Sequence, residues 1–205
     1  MQPPRQARPF AKPRVLIGEG RDEVNFFEAL VGHLGVSDVQ VEEYGGKNKL
    51  SIYLKEFGVR PGHQNVLALG ITRDADASVA QVFQSVCTLL GNHGLPAPAA
   101  PGQVAAGPPR VGVFLLPDNQ RDGMLEDLCL DGVQGDGAMP CVDDFFQCVA
   151  RNAARNPTPM AKARVHAWLS SQPVPDLRLG EAAQKGYWPL SAAAFQPLIQ
   201  FLQGL

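Results

Sequence analysis

Acidic residues follow two apolar stretches of this chain. Glu19 comes directly after the apolar run 15–18, and Asp74 and Asp76 follow the apolar run 66–71. Short apolar runs bounded in this way are typical of buried strands in a parallel sheet. Ligands of open α/β sheets bind beyond the carboxyl ends of such strands. We therefore expect these three carboxylates to meet at one edge of a sheet, although they lie far apart in the chain.

Three carboxylates at one place favour a bound cation. They repel one another and raise each other's pKa unless a positive charge lies between them. Ligand sets made only of oxygen favour a hard divalent ion, so the sequence predicts a Mg²⁺ or Mn²⁺ site formed by Glu19, Asp74 and Asp76. The structural alternatives are ordinary. Glu19 could simply stabilise the start of a helix, and Asp76 could cap the next one.

Composition sets limits on the fold and on the partner. The 205 residues, 45% of them hydrophobic, suit one α/β domain with additions and a real core. Eighteen basic and twenty acidic residues give a formal charge of −2, so any surface that binds nucleic acid has to be local. The aromatic fraction of 7% argues against a stacking platform for single strands.

Targeting signals are not evident. The start of the chain has no apolar signal segment, and no run reaches the roughly 18 apolar residues of a membrane span. The four cysteines form no CxxC pair and no zinc spacing with the four histidines, which we treat as structural. These features predict a cytoplasmic protein with reduced thiols and no membrane contact.

The order of elements predicts an α/β fold. Strand and helix alternate three times, which implies a three-layer domain with a mostly parallel sheet of about four strands, followed by C-terminal helices. We expect a flexible or loosely docked tail at 1–13, an α/β core at 14–130 and a helical part at 131–205 that packs on the core. The proline-rich segment 96–109 is expected to be an exposed loop or an insertion at the sheet edge.

The acidic motifs resemble those of a known domain. Glu19-Gly20 after the first strand and Asp74-x-Asp76 after the third look like the TOPRIM domain of primases, topoisomerases and small ribonucleases. That resemblance implies a glutamate that acts in acid/base catalysis or metal binding, and two aspartates that hold Mg²⁺.

Further segments make the resemblance more specific. The chain resembles an uncharacterised TOPRIM-like family, DUF3226, related to the TOPRIM part of overcoming-lysogenization-defect (OLD) nucleases. The resemblance implies that Glu126 helps to hold a second metal ion and that Lys162 is catalytic. The alternatives are that Glu126 only favours a helix start and that Lys162 is a surface lysine. The additional matching segments are Gly45-Gly46-Lys47, Leu116-Pro117-Asp118, residues 123–128 and Lys162.

Three more aspartates are candidates for metal binding or for contact with the metal ligands. The alternative for Asp22 is that it serves as a helix N-cap, and for Asp127 that it only stabilises a helix N-terminus. Asp118 directly follows a strand, and for this residue a functional role at the metal site and a purely structural role both remain open.

Phosphate binding is predicted beside the acidic residues. Gly45, Gly46 and Lys47 do not fit the P-loop pattern, but a glycine-rich turn that opens a helix can hold a phosphate with its backbone N–H groups. Arg73 could contact a substrate phosphate or neutralise Asp74.

The leading hypothesis is a Mg²⁺-dependent phosphoryl-transfer enzyme, a nuclease acting on DNA or RNA, with one or two metal ions. The resemblance implies that, because OLD proteins fuse this domain to an ATPase, any ATP-driven step here would need a separate ATPase partner. A homo-oligomer is a further option. One alternative is a non-catalytic nucleic-acid-binding or regulatory module. Another is a haloacid-dehalogenase-type phosphatase with Asp74 as nucleophile, although such enzymes carry that motif on their first strand.

Overall fold

The computed structural model describes residues 8–205. Its sheet has the order β2-β1-β3-β5-β4, in which β1, β2, β3 and β5 are parallel and β4 is antiparallel to β5. The predicted α/β class with a mostly parallel sheet is confirmed. The strands are β1 (Arg14–Gly18), β2 (Val39–Glu43), β3 (Ala68–Asp74), β4 (Val104–Ala105) and β5 (Arg110–Leu116).

The fifth strand comes from the proline-rich segment. The short β4 pairs with β5 through Val104 opposite Gly112 and Ala105 opposite Val111. Prolines on both sides keep it short and confine it to the sheet edge, because proline cannot donate to a ladder of hydrogen bonds. This segment therefore forms one edge of the sheet.

Eight helices accompany the sheet within the described residues. They are α1 (Arg21–His33), α2 (Leu50–Phe57), α3 (Val79–Asn92), α4 (Leu125–Gly132), α5 (Met139–Ala153), α6 (Met160–Leu169), α7 (Leu179–Gln184) and α8 (Gln196–Gly204). None of them is long and apolar enough to span a membrane.

The sheet separates two apolar cores. Side chains alternate between its faces along each strand, so Leu16 enters one core and its neighbours Val15 and Ile17 enter the other. The core of Leu16 contains α1 and the C-terminal helices, and the opposite core contains α2 and α3. The protein therefore has the expected three layers, with the C-terminal helices packed on the first core.

Two glycines let the last helix approach the sheet. Gly70 and Gly112 lie opposite each other on β3 and β5. A Cβ atom at Gly70 would come within 2.8 Å of Leu205, and one at Gly112 within 2.7 Å of Phe201. The C-terminal end of α8 therefore rests directly on the strands, where Arg110 Nη2 donates to the Leu205 carbonyl at 2.9 Å.

The start of the described chain is docked. Phe10 is buried against Phe57, with ring centroids 5.0 Å apart, and its N–H donates to the Pro61 carbonyl at 2.9 Å. The Arg60 guanidinium lies 4.1 Å from the centre of the Phe10 ring. Residues 1–7 of the expected tail lie outside the described residues, but the packed fold begins before β1.

Candidate functional site

Neighbouring strand ends bring three acidic side chains to one edge of the sheet. β1 ends at Gly18 and β3 at Asp74, and the two strands are parallel neighbours. Glu126, in the first turn of α4, joins them because the Leu125 N–H donates to Asp74 Oδ1 at 3.0 Å. Glu19, Asp74 and Glu126 line one cavity of about 330 Å³. Residues from three separate parts of the chain thus converge.

A fourth carboxylate, not foreseen from the sequence, lies in the same place. Glu23 is only 8% exposed, and its Oε2 accepts the Glu19 N–H at 2.7 Å. A Cβ atom at Gly18 would come within 2.6 Å of that oxygen and 3.0 Å of the Glu23 Cβ, so glycine leaves the space that this side chain occupies. The available signal was an acid on the otherwise apolar face of α1, four residues before Phe27.

The carboxylates in the cavity destabilise each other's charged forms. Burial and then the charge of Glu126 raise the pKa of Asp74 to about 7, against the opposing effect of the Leu125 N–H. Burial, followed by the charge of Asp74, raises the pKa of Glu23 well above its ordinary value. Burial also raises the pKa of Glu126. Concentrated negative charge of this kind is relieved by protons or by a cation.

The donor set suits a hard divalent cation. All four side chains offer carboxylate oxygens, which Mg²⁺ and Mn²⁺ prefer. Across residues 8–205, no group of three or more His, Cys, Asp or Glu side chains is already arranged to hold a metal ion. Coordination by Glu19, Asp74 and Glu126 therefore requires their side chains to turn towards a common point within the cavity.

Asp76 lies beside this group and does not line the cavity. Its carboxylate pairs with Lys47 Nζ at 2.5 Å. Its backbone has a positive φ of 52° and its N–H donates to the Gly123 carbonyl at 2.8 Å, which fixes the turn after β3. Its charge still contributes to the raised pKa of Asp74. Asp76 is therefore a neighbour of the acidic cavity.

Lys162 reaches the cavity from the C-terminal helices. It lies in the first turn of α6, with its Nζ 3.7 Å from Glu126 Oε1, and it lines the same cavity. The structure thus unites the lysine and the glutamate that the sequence resemblance implied.

Asp22 also lines the cavity, but it is not the N-cap that the sequence suggested. Gly20 occupies the N-cap position of α1, and Asp22 lies inside the first turn. The Asp22 Oδ1 atom accepts the Gly180 N–H at 3.1 Å, so the side chain connects α1 to α7. The helix begins earlier than predicted because extended glycine serves as an N-cap about as well as threonine does.

Asp118 and Asp127 make structural contacts. Asp127 Oδ2 accepts the Met124 N–H at 2.9 Å and so caps α4. Asp118 forms an ion pair with Arg121 at 2.8 Å. Burial alone would raise the Asp118 pKa, but hydrogen bonds from the backbone and side chain of Arg121 hold it below its ordinary value. Neither side chain lines the acidic cavity.

The glycine turn predicted to bind phosphate uses its amides within the protein. The Gly45 and Gly46 N–H groups donate to the Glu19 carbonyl at 3.1 and 2.8 Å. Lys47 is paired with Asp76, and Arg73 is 8% exposed. The turn therefore holds the Glu19 backbone in place, with Lys47 as its exposed charged side chain.

Two basic side chains that no sequence motif indicates, His166 and Arg178, also line the site. A second cavity of about 250 Å³ adjoins the first and shares Glu126, Lys162 and Arg178 with it; His166 lines this second cavity. The sequence predicts a structural role for His166, whereas the structure brings it to this cavity. No local motif indicates Arg178, because it enters the site only through the packing of α7 on α1. At that contact Gly180 lies so close to the Asp22 backbone that a side chain would not fit.

The fold and the site define an α/β protein with an acidic cavity at the carboxyl edge of a mostly parallel sheet. Residues 13–205 match the family described as protein of unknown function DUF3226. The chain belongs to that family.

The protein is also similar to solved structures of the C-terminal region of the OLD protein from Xanthomonas campestris pv. campestris. Two of these, phased with mercury and with iodine, have TM-scores of 0.40 and sequence identities of 16% and 17%. Both comparisons cover 96% of this chain and 87% of the other. No curated protein matches the sequence.

Proposed function

We propose that this protein is a Mg²⁺-dependent phosphoryl-transfer enzyme with a TOPRIM-like active site, and that it is a nuclease of DNA or RNA. The observation that supports this best is the convergence of Glu19, Asp74 and Glu126 on one cavity that Lys162 also lines. Carboxylates that hold divalent cations and a nearby positive side chain are the groups that phosphodiester cleavage needs.

Each side chain has a proposed role. Asp74 and Glu126 provide oxygen ligands, and bound Mg²⁺ would supply an activated water and neutralise charge on the phosphoryl oxygens. Glu19 lines the same cavity, and we assign it to acid/base catalysis or to a further metal ligand. Lys162 places its ammonium beside Glu126, where it stabilises negative charge that develops on the transferred group. Glu23 holds the Glu19 backbone by accepting its N–H.

The surroundings of the cavity suit a polyanionic substrate. The whole chain has a formal charge of −2, so attraction to nucleic acid has to come from local groups. Arg21, Lys162 and Arg178 line the acidic cavity, and Lys47 lies beside it in its ion pair with Asp76. A polynucleotide bound across these cations would bring one of its phosphodiesters opposite the carboxylates.

Cleavage assays test this function. Supercoiled plasmid, single-stranded DNA and RNA are each incubated with the protein in Mg²⁺, in Mn²⁺ and in EDTA. We expect cleavage of at least one substrate with metal and none in EDTA. The Glu19→Gln/Asp74→Asn double variant should lose at least about 100-fold in rate, as expected when groups at the reacting centre are removed.

A matched control separates this site from general loss of charge. Asp144 is an exposed acid on α5 that does not line either cavity, so Asp144→Asn should retain wild-type activity. Cleavage that persists in the double variant would refute the proposed function. Metal-independent binding of nucleic acid with no cleavage, unchanged in the double variant, would instead identify a non-catalytic binding module.

A further inference from the structure

The second cavity differs from the first in the charges that line it. The first cavity is lined by four carboxylates close to the strand ends, together with Asp22. The second keeps only Asp22 and Glu126 of these acids, shares Lys162 and Arg178 with the first cavity, and adds His166. The two spaces adjoin along the residues that line both of them, which are Asp22, Glu126, Lys162, Arg178 and Leu179.

Arg178 is not committed to a structural contact. Its side chain is exposed and forms no ion pair with any of the described residues. Its backbone N–H donates to Glu181 Oε2 at 2.9 Å, so the residue caps α7 through main-chain atoms alone. The Gly180 N–H, in the first turn of the same helix, donates to Asp22 Oδ1 and is not available to a ligand either. The guanidinium is therefore the group that Arg178 offers to a ligand.

We infer that Arg178, with His166 beside it in the second cavity, binds a phosphate that flanks the bond being cleaved. This assignment rests on the proposed function, and it specifies the substrate as a polynucleotide with at least one phosphate beyond the scissile one. A planar guanidinium can donate two parallel hydrogen bonds to phosphate oxygens. The carboxylates nearby repel a polyanion, so a cation that reaches the second cavity, which Glu19, Glu23 and Asp74 do not line, is needed to hold the adjacent phosphate.

The test compares a substrate that has a flanking phosphate with one that lacks it. Wild-type protein, Arg178→Ala and the control Arg151→Ala are assayed with a short single-stranded oligonucleotide and with bis(p-nitrophenyl) phosphate. Arg151 is an exposed arginine on α5 that does not line either cavity and has no ion pair in the described part of the chain. We expect Arg178→Ala to lower the ratio of kcat/KM for the oligonucleotide to that for the small diester about tenfold or more. The change should fall mainly on KM, and Arg151→Ala should keep the wild-type ratio.

Binding without turnover provides an independent measurement. Fluorescence anisotropy with a labelled oligonucleotide in Ca²⁺ should show about tenfold weaker binding for Arg178→Ala. The salt dependence of log K should become shallower by about one, as expected when one phosphate contact is lost. Equal ratios and equal salt dependences in Arg178→Ala and Arg151→Ala would overturn the subsite.

Failure of the subsite and failure of the proposed function give different results. If the wild type cleaves both substrates and Arg178→Ala behaves like the control, the nuclease stands and the phosphate subsite is wrong. If nothing is cleaved but Arg178→Ala alone weakens oligonucleotide binding, the subsite stands and the catalytic function is wrong. If the wild type neither cleaves nor binds, both are wrong.

Discussion

Replacing Asp74 by asparagine should stabilise the protein in the absence of metal. Burial, and then the charge of Glu126, raise the pKa of Asp74 from 3.8 to about 7, so its ionised form is disfavoured in the native state. Asparagine has a similar shape and no charge, and its Oδ1 can still accept the Leu125 N–H that now donates to Asp74 at 3.0 Å. The substitution therefore removes a repelled charge and keeps the hydrogen bond.

The magnitude and its sign follow from proton linkage. Between pH 3.8 and about 7, native Asp74 holds a proton that the unfolded chain has already lost. Wild-type stability should therefore fall as the pH rises through this window and level off above it. Since each pKa unit corresponds to about 1.36 kcal/mol, the ceiling is about 4 kcal/mol. Relaxation of neighbouring groups makes about 2–4 kcal/mol the expected gain for Asp74→Asn above pH 7.

Urea denaturation in EDTA, followed by circular dichroism, measures this gain at the acidic and alkaline ends of the window. Asp118→Asn is the matched control. Burial raises the Asp118 pKa less than the hydrogen bonds from Arg121 and Gln120 lower it, so removing its charge should not stabilise the protein. An Asp74→Asn variant no more stable than the wild type above pH 7 would refute the assignment of mutual repulsion in this cavity.

Three further substitutions test separate contacts. Gly18→Ala should cost about 1–3 kcal/mol of unfolding free energy by denaturation, since a Cβ atom there would lie 2.6 Å from Glu23 Oε2; unchanged stability would show that this side chain is not fixed. Trp168→Ala should cost about 3–5 kcal/mol, because its buried ring stacks at 4.5 Å on another indole; a loss below about 1 kcal/mol would contradict this packing. Lys47→Met should raise the affinity for Mg²⁺ about fivefold, as measured by calorimetry, because it removes the lysine that pairs with Asp76 at 2.5 Å. That ion pair is partly exposed and contributes at most ~1 kcal/mol. Unchanged or weaker Mg²⁺ binding would show that the lysine does not compete with the metal ion.

The sheet could be predicted because its signals are local. Apolar runs identify the central strands, and the alternation with helices fixes a parallel order. The edge strand at Val104 was predictable only as an insertion, since two residues among prolines and glycines carry no periodicity. The sequence around Gly70 and Gly112 does not indicate that the end of α8 lies against them, because this contact joins segments that are distant in the chain.

Some residues of the candidate site were likewise predictable from local signals, and others depend on tertiary contacts. Glu19 and Asp74 follow recognisable strands, so their convergence follows from the topology of a parallel sheet. Asp76 follows the same strand, but a positive φ and the ion pair with Lys47 keep it outside the cavity, and residue spacing does not encode either feature. Arg178 depends on how α7 packs against α1, a tertiary contact that no local pattern records.

Binding of Mn²⁺ tests the central claim most directly. Electron paramagnetic resonance of a Mn²⁺ titration measures the free ion, and it can be repeated for Glu19→Gln, Asp74→Asn and Glu126→Gln. We predict that the wild type removes Mn²⁺ from the free signal, that Mg²⁺ displaces it, and that each substitution weakens binding at least about tenfold. A wild type that leaves the free Mn²⁺ signal unchanged would contradict a shared metal site, and so would three variants that bind Mn²⁺ as the wild type does.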